Sequence, residues 1–460
     1  MGLFLSDALD NCGVFGVYGG GSCARRIHLA MHFLQHRGQQ YCGIATSDGK
    51  EIMIQSHKGL VDPTFTKEDF ETLRGNFGIG HVSLRDRQPM TLHSKLGDFA
   101  ICFSGNIING PELILELKKG GNSFWLDSQV ELLSKLVANG SDFVDGIEQM
   151  TKKIDGSYSM LILTPEGIFA ARDRFGFRPL VLGRNSGDFA VASESRALQN
   201  LGFEIVRDVK PGEIVFINSR GFKTLKKMES KRSAFCAFEW AYIASVDSVI
   251  DGLSVDKARN NMGAMLAKRD RGKIKADIVA PIPNSGIGHA EGYHLESGIP
   301  LKSVFLIDRY GDRSYTQATQ EERDNMAEKK LSVLKNAVEG KRIVLCDDSI
   351  VRGTQMREKV KDLKKAGAKE VHVRVSCPPL MHPCRFGIST RSYDELIARR
   401  VKIDQIGKFI GADSLVYNTL EDFVEALGKE KRELCLYCWN GEAPFEPRQK
   451  KITQILGEPR

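Results

Sequence analysis

The sequence has no run of about 18 or more apolar residues, so no segment has the length of a membrane-spanning helix. Its opening, MGLFLSDALDN, lacks the basic start and long apolar stretch of a secretory signal, which argues against export. The same opening fits the loose N-myristoylation pattern, but six residues with so few fixed positions carry no weight alone. No run of lysine and arginine with interleaved aromatics is present, so nucleic acid is not an expected partner. Internal repeats and low-complexity tracts are missing as well. Ten cysteines without an export signal are not expected to form structural disulfides in a reducing cytosol, and a cytoplasmic location is the expectation.

At 460 residues the chain exceeds the usual single-domain size, and its 42% hydrophobic content can supply two cores. The net charge of +7 is a mild basic bias that suits anionic phosphate substrates. Residues 12 to about 225 are rich in short alternating segments punctuated by glycine (GVFGVYG, GKEIMIQ, DFAICFSGN, SYSMLIL, DFAVAS, EIVFIN), the pattern of a β-rich sandwich with helices outside. A basic, apolar-poor stretch, KTLKKMESKRS at 223–233, marks the connection. From about 250 onward, helical patterns alternate with the apolar strands DIVAPIP, SVFLI, RIVLC and VHVRVS, which indicates a doubly wound parallel sheet. Ligands of such a sheet bind beyond the carboxyl ends of its strands.

The most informative stretch is IVLCDDSIVRGT at 343–354. Ile343, Val344 and Leu345 read as a buried parallel strand, and residues 355–366 carry apolar positions at helical spacing, so the turn between them joins a strand end to a helix N-terminus. Backbone N–H groups of Ser349, Ile350, Val351, Arg352, Gly353 and Thr354 can converge there on a phosphate, with Gly353 removing the side chain where the backbone approaches closely. Asp347 and Asp348 add two acceptors for ribose hydroxyls or a magnesium shell.

This string resembles the phosphoribosyl pyrophosphate loop of type I phosphoribosyltransferases, in particular the amidophosphoribosyltransferases. DIVAPIPNSGIGHAEGY (277–293), RYGDRSYTQATQEER (309–323) and VHVRVSCPPLMHPCRFGI (371–388) follow in that family's order and spacing. The N-terminal half adds CGVFG from Cys12, LQHRGQQYCGI (34–44), ARDRFGFRPLVLG (171–183) and ASES (192–195), which resemble the glutamine amidotransferase domain of the N-terminal-nucleophile class. The fold implied is an α+β glutaminase sandwich at 12–230 followed by an α/β phosphoribosyltransferase domain with a parallel sheet at 231–460.

The resemblance carries further expectations. Residues 1–11 would be a propeptide whose removal lets the Cys12 thiolate attack glutamine with its own α-amine as proton acceptor. Arg37, Ser104, Gly105 and Asp127 would form the glutamine pocket, Asp127 facing the glutamine ammonium. Ser285 and Arg309 would join the loop residues on the pyrophosphate, and Ser285, Asp347 and Asp348 would hold magnesium. A lone C-x-x-C near the end is compatible with redox chemistry, zinc or two core residues. In the cluster-bearing members of the family, however, the positions of Cys236, Cys384, Cys435 and Cys438 hold a structural [4Fe-4S] centre. The charged tract at 319–330 would belong to a loop closing over the substrate. Purine nucleotides as inhibitors and a homo-oligomer complete the expectation.

Two positions depart from the family's pattern. Its glutamine-carboxylate arginine is replaced by Ser83 and its oxyanion asparagine by Ser104. Losing one oxyanion donor costs about 100- to 1,000-fold in rate. Arg85 or Arg87, close by in sequence, could take over the carboxylate. Two alternatives therefore stand beside the glutamine-dependent enzyme: a phosphoribosyltransferase fed by ammonia with the first domain as scaffold, and a regulatory sensor of phosphoribosyl pyrophosphate.

Overall fold

The computed structural model describes residues 12–307, 331–387, 390 and 392–445. Residues 1–11, expected to be a propeptide, together with Arg309 and the rest of the motif at 309–323 and the tract 319–330, lie outside the described residues.

The first half is two antiparallel sheets of seven and six strands, face to face. Gly13–Tyr18 is central in the larger sheet, between Asp188–Ala192 and Phe77–Ser83. Its residues are buried on both faces. Val14 enters the core between the sheets with Leu161, Ile168 and Val191, while Phe15 and Val17 pack under the Cys23–Phe33 helix. That is why GVFGVY reads as a nearly continuous apolar run rather than a strict alternation. In the smaller sheet Phe99, Ile101 and Phe103 meet the Gln129–Ala138 and Phe143–Lys153 helices, giving helix layers outside both sheets.

The second half is a four-stranded parallel sheet in the order Ile278–Pro281, Arg342–Asp347, Glu370–Val375 and Ser414–Tyr417. Ile343 and Leu345 face Val360, Leu363 and Ile406 on one side, and Val344 and Cys346 face Leu266, Ala290 and Tyr293 on the other. Both faces are thus covered by helices, as a parallel sheet requires. Among the described residues no helix is long and apolar enough to cross a membrane.

Two segments differ from the sequence reading. SVFLI does not enter the parallel sheet: Phe305–Ile307 pairs antiparallel with Leu331–Val333, and Leu306 and Ile307 are exposed. The fourth strand is SLVY instead, whose half-buried edge position makes a weak apolar signal. The start of the basic connection is also structured. Gly221–Lys227 is the edge strand of the six-stranded sheet, and its lysines decorate an edge that needs charge to discourage further pairing.

The helices Val255–Asp270 and Ile287–Ser297 cross at contact distance because glycine stands on each. A Cβ added to Gly263 would lie 1.9 Å from the His289 carbonyl oxygen, and one added to Gly292 would lie 1.9 Å from that of Asn260. Neither backbone can yield without moving a helix that flanks the sheet. Gly263→Ala is expected to destabilise the protein by about 1–3 kcal/mol, read as a lower midpoint in urea unfolding.

Candidate active site

The Arg342–Asp347 strand delivers Asp347 at its carboxyl end, and Asp348 follows as the chain leaves the sheet. Main-chain bonds fix both: Ser376 N–H donates to the Asp347 carbonyl at 3.0 Å and Cys377 N–H to that of Asp348 at 2.8 Å. The Asp347 carboxylate accepts from Ser285 Oγ at 2.6 Å and from Asp348 N–H at 3.0 Å, and that of Asp348 accepts from the Ser349 hydroxyl. Burial, and then the charge of its neighbour, holds Asp347 well above the usual carboxylate range; burial likewise raises Asp348. The loop is anchored by Ile350 in the core, and Arg352 on its outer side pairs with Glu395 at 3.2 Å. Gly353 has φ of 79° and caps the Thr354–Lys365 helix; a Cβ there would meet Ile397 at 2.5 Å, so the turn admits only glycine.

Cys12 opens the second centre. Gly13 pairs with Val82, so Ser83 ends the neighbouring strand alongside Cys12, which is buried. The Cys12 carbonyl accepts from Arg37 Nε at 3.1 Å and Ser104 Oγ at 2.8 Å. Ser83 Oγ accepts from the N–H groups of Arg85 and Asp86, at 2.8 and 3.1 Å, and burial raises the Asp86 carboxyl. Gly105 has a packing reason of its own: at φ of 153° an added Cβ would lie 2.0 Å from the Ser157 carbonyl oxygen. Asp127 is held at φ of 52° with its exposed carboxylate ion-paired to Lys118 at 2.6 Å. Two residues on, Gln129 Nε2 donates to Asn106 Oδ1 at 3.0 Å, tying this segment to the end of the Ser104 strand.

The four cysteines of interest gather in the apolar core at the junction of the halves. Phe235–Cys236 runs parallel to Leu434–Cys435 with Cys236 opposite Cys435, and the Cys384 and Cys438 thiols hydrogen-bond to each other. Burial pushes the Cys236 thiol up to about 12. Among the described residues no three His, Cys, Asp or Glu side chains are gathered so as to hold a single metal ion.

Sequence reasoning missed the charges between these centres. Arg37 Nη2 donates to both carboxylate oxygens of Glu239, at 2.7 and 3.0 Å, and Nη1 donates to Glu194. Arg178 Nη1 reaches Glu239 at 2.8 Å and its Nη2 the Gly387 carbonyl. Burial alone would raise the Glu194 carboxyl, but His36 and Arg37 outweigh it and hold the group below the ordinary range. Glu239 begins the turn Glu239–Ile243, whose carbonyls from Trp240 and Tyr242 accept from the buried Arg259 at 3.0 Å each. Burial, and then the charges of Asp348 and Asp347, raise the Tyr242 phenol, so this one turn borders both centres. The available signal was an acidic residue inside the otherwise apolar AFCAFEWAYI.

Known proteins fit this geometry. A glutamine amidotransferase domain model matches residues 70–200 and a phosphoribosyl transferase domain model residues 254–395. The amidophosphoribosyltransferase of Methanocaldococcus jannaschii is 39% identical, over 96% of this chain and 99% of the relative. That of Bacillus subtilis is 35% identical, over 98% and 97%. The chain belongs to the amidophosphoribosyltransferase family. A solved structure of glutamine phosphoribosylpyrophosphate amidotransferase from B. subtilis, complexed with ADP and GMP, superposes with a TM-score of 0.89 at 35% identity, covering 95% of this chain and 98% of that one. Amidophosphoribosyltransferases are glycosyl-transferring enzymes of the first step of purine synthesis. Ser285 and the loop 347–354 lie inside the second matched domain, whereas Cys12, Arg37, Cys435 and Cys438 lie outside both matched spans.

The raised carboxyls make a signed prediction. A raised carboxyl keeps its proton to higher pH, so ionising the pair costs stability as pH rises above the ordinary carboxylate range, and a bound cation removes that cost. Binding of a divalent cation at this pair should release protons and tighten with rising pH. Calorimetry in two buffers of different ionisation enthalpy reads the release, which Asp347→Asn should reduce.

Proposed function

We propose that this amidophosphoribosyltransferase forms 5-phosphoribosylamine, with ammonia at least as effective a nitrogen donor as glutamine. The observation that carries the transferase half is the Asp347–Asp348 pair at a parallel strand's carboxyl end, directly before the glycine-capped turn. The 5′-phosphate sits on the amides and hydroxyls of residues 349–354, the ribose hydroxyls on Asp347 and Asp348, and the pyrophosphate near Ser285, with Arg309, outside the described residues, as its further partner in the family's pattern. Ser285, Asp347 and Asp348 offer the oxygen donors magnesium prefers, and two crowded carboxylates with raised pKa suit a cation. Magnesium there would offset charge on the leaving pyrophosphate. Ammonia attacks C1 as the C1–O bond to pyrophosphate breaks, and the protein contributes alignment and a preorganised field.

In the glutaminase half, removal of residues 1–11 would turn the Cys12 nitrogen into the α-amine that accepts the thiol proton. The Ser104 hydroxyl is engaged by the Cys12 carbonyl, and Ser83, at the position of the family's arginine, has its hydroxyl oxygen engaged by the N–H groups of Arg85 and Asp86. Both features weigh against tight glutamine binding. The chain divides at about 230, with domains 12–230 and 231–460. Cys384, Cys435 and Cys438 are buried and Cys236 is half-buried, and four thiols are the donors a [4Fe-4S] cluster needs; its role would be structural, since neither half-reaction moves electrons. Purine nucleotides as inhibitors, a homo-oligomer and a cytoplasmic location belong to the same reading.

Pyrophosphate release with ammonium at alkaline pH should equal or exceed that with glutamine. Cys12→Ala should lower the glutamine rate roughly 1,000-fold or more while sparing the ammonia rate, and Asp347→Asn with Asp348→Asn should abolish both. A glutamine rate clearly above the ammonia rate would refute the preference. Intact mass of protein purified without oxygen should show loss of residues 1–11 and gain of four irons and four sulfides. Retention of Met1 in a protein that hydrolyses glutamine, or zinc in place of iron, would count against these assignments.

A further inference from the structure

The three guanidinium nitrogens of Arg37 face three different elements: Nε the Cys12 carbonyl, Nη1 Glu194, and Nη2 Glu239. Arg37, Glu194 and Glu239 are each at most 1% exposed, as is Arg178 on the far side of Glu239. A planar guanidinium with a carboxylate on two sides cannot rotate without leaving a buried charge unpaired, so its third nitrogen is fixed in place. That nitrogen holds the nucleophile's own main chain.

Glu194 and Glu239 are not equivalent. Glu194 follows the Asp188–Ala192 strand of the same sheet as Cys12, and its second oxygen accepts from Ser245 N–H at 2.9 Å and Ser248 Oγ at 2.8 Å. Glu239 comes from the segment after Cys236, and through Arg178 it is joined to Gly387, three residues past Cys384. An element holding the two halves together would need only the carboxylate and the Arg178 side. The bond from Arg37 to Cys12 is additional.

We infer that Glu239 is a positioning residue for the Cys12 centre: from beyond the sandwich it sets the plane of Arg37 and thereby the orientation of the Cys12 main chain. With the carbonyl held by Arg37 and Ser104, rotation about the Cys12 backbone is restricted, and the thiol and the α-amine are carried at a defined angle to the pocket. The functional consequence rests on Cys12 being the glutamine nucleophile.

The test uses the full chain with Glu239→Gln, which keeps the volume and removes the charge, and Glu239→Asp, which keeps the charge and shortens the reach. Amide hydrogen exchange is compared between residues 12–17 and the Gly156–Thr164 strand of the other sheet, together with the ratio of glutamine- to ammonia-dependent pyrophosphate release. Glu239→Gln should speed exchange at 12–17 by about tenfold and lower the ratio by a similar factor, leaving the Gly156–Thr164 strand unchanged, with Glu239→Asp between it and wild type. Unchanged exchange at 12–17, or equal acceleration in both segments, would overturn the inference. A wild type inert toward glutamine would instead overturn the nucleophile reading, and the exchange comparison would then decide the positioning claim by itself.

Discussion

The pairing of buried charge around Arg37 is the constraint on which the molecule's organisation depends. Removing one partner of a buried pair costs about 3–5 kcal/mol, whereas exposed pairs such as Lys67–Glu71 contribute roughly 0–1 kcal/mol. The Arg37, Glu194, Glu239 and Arg178 network therefore outweighs many surface contacts, and it can be satisfied only with both halves in place. The apolar surface agrees with it. Phe175 and Phe177 from the first half pack with Phe386, Cys435 and Trp439 from the second in a single core. Arg172 adds a bidentate bond to Asp251, 2.8 Å to each oxygen.

The same segment that satisfies Arg37 also reaches the phosphoribosyl centre. Between Cys236 and Ser248 the chain supplies Glu239 to one centre, Tyr242 to the border of the other, and Ser245 and Ser248 to Glu194. Arg259 fixes it by accepting no slack: its Nη2 donates to the Ala244 carbonyl at 2.7 Å as well as to that of Tyr242.

How much of this the sequence discloses depends on how local the encoding is. The turn at 347–354 was legible because strand, acidic pair, glycine and helix start are consecutive, and each has a local reason. The layered sandwich was legible from short strands between glycines. Cys12 was singled out only through resemblance, since an early cysteine alone says little. Glu239 was not legible, because its partner Arg37 is 202 positions away and nothing in either neighbourhood points to the other. SVFLI misled for a related reason: apolar content marks a strand but not its sheet, and Leu306 and Ile307 stay outside the core. Asp127 was named as a partner for substrate; its present partner is Lys118, a contact that residue type alone could not foretell.

The two halves are expected to act as one enzyme. This is tested most directly by counting glutamate and pyrophosphate in the same reaction, with glutamine as the sole nitrogen source. Equal amounts of the two products are expected, with slower glutamate formation when phosphoribosyl pyrophosphate is left out. Pyrophosphate accumulating without glutamate, or glutamate forming at the same rate in both mixtures, would contradict it.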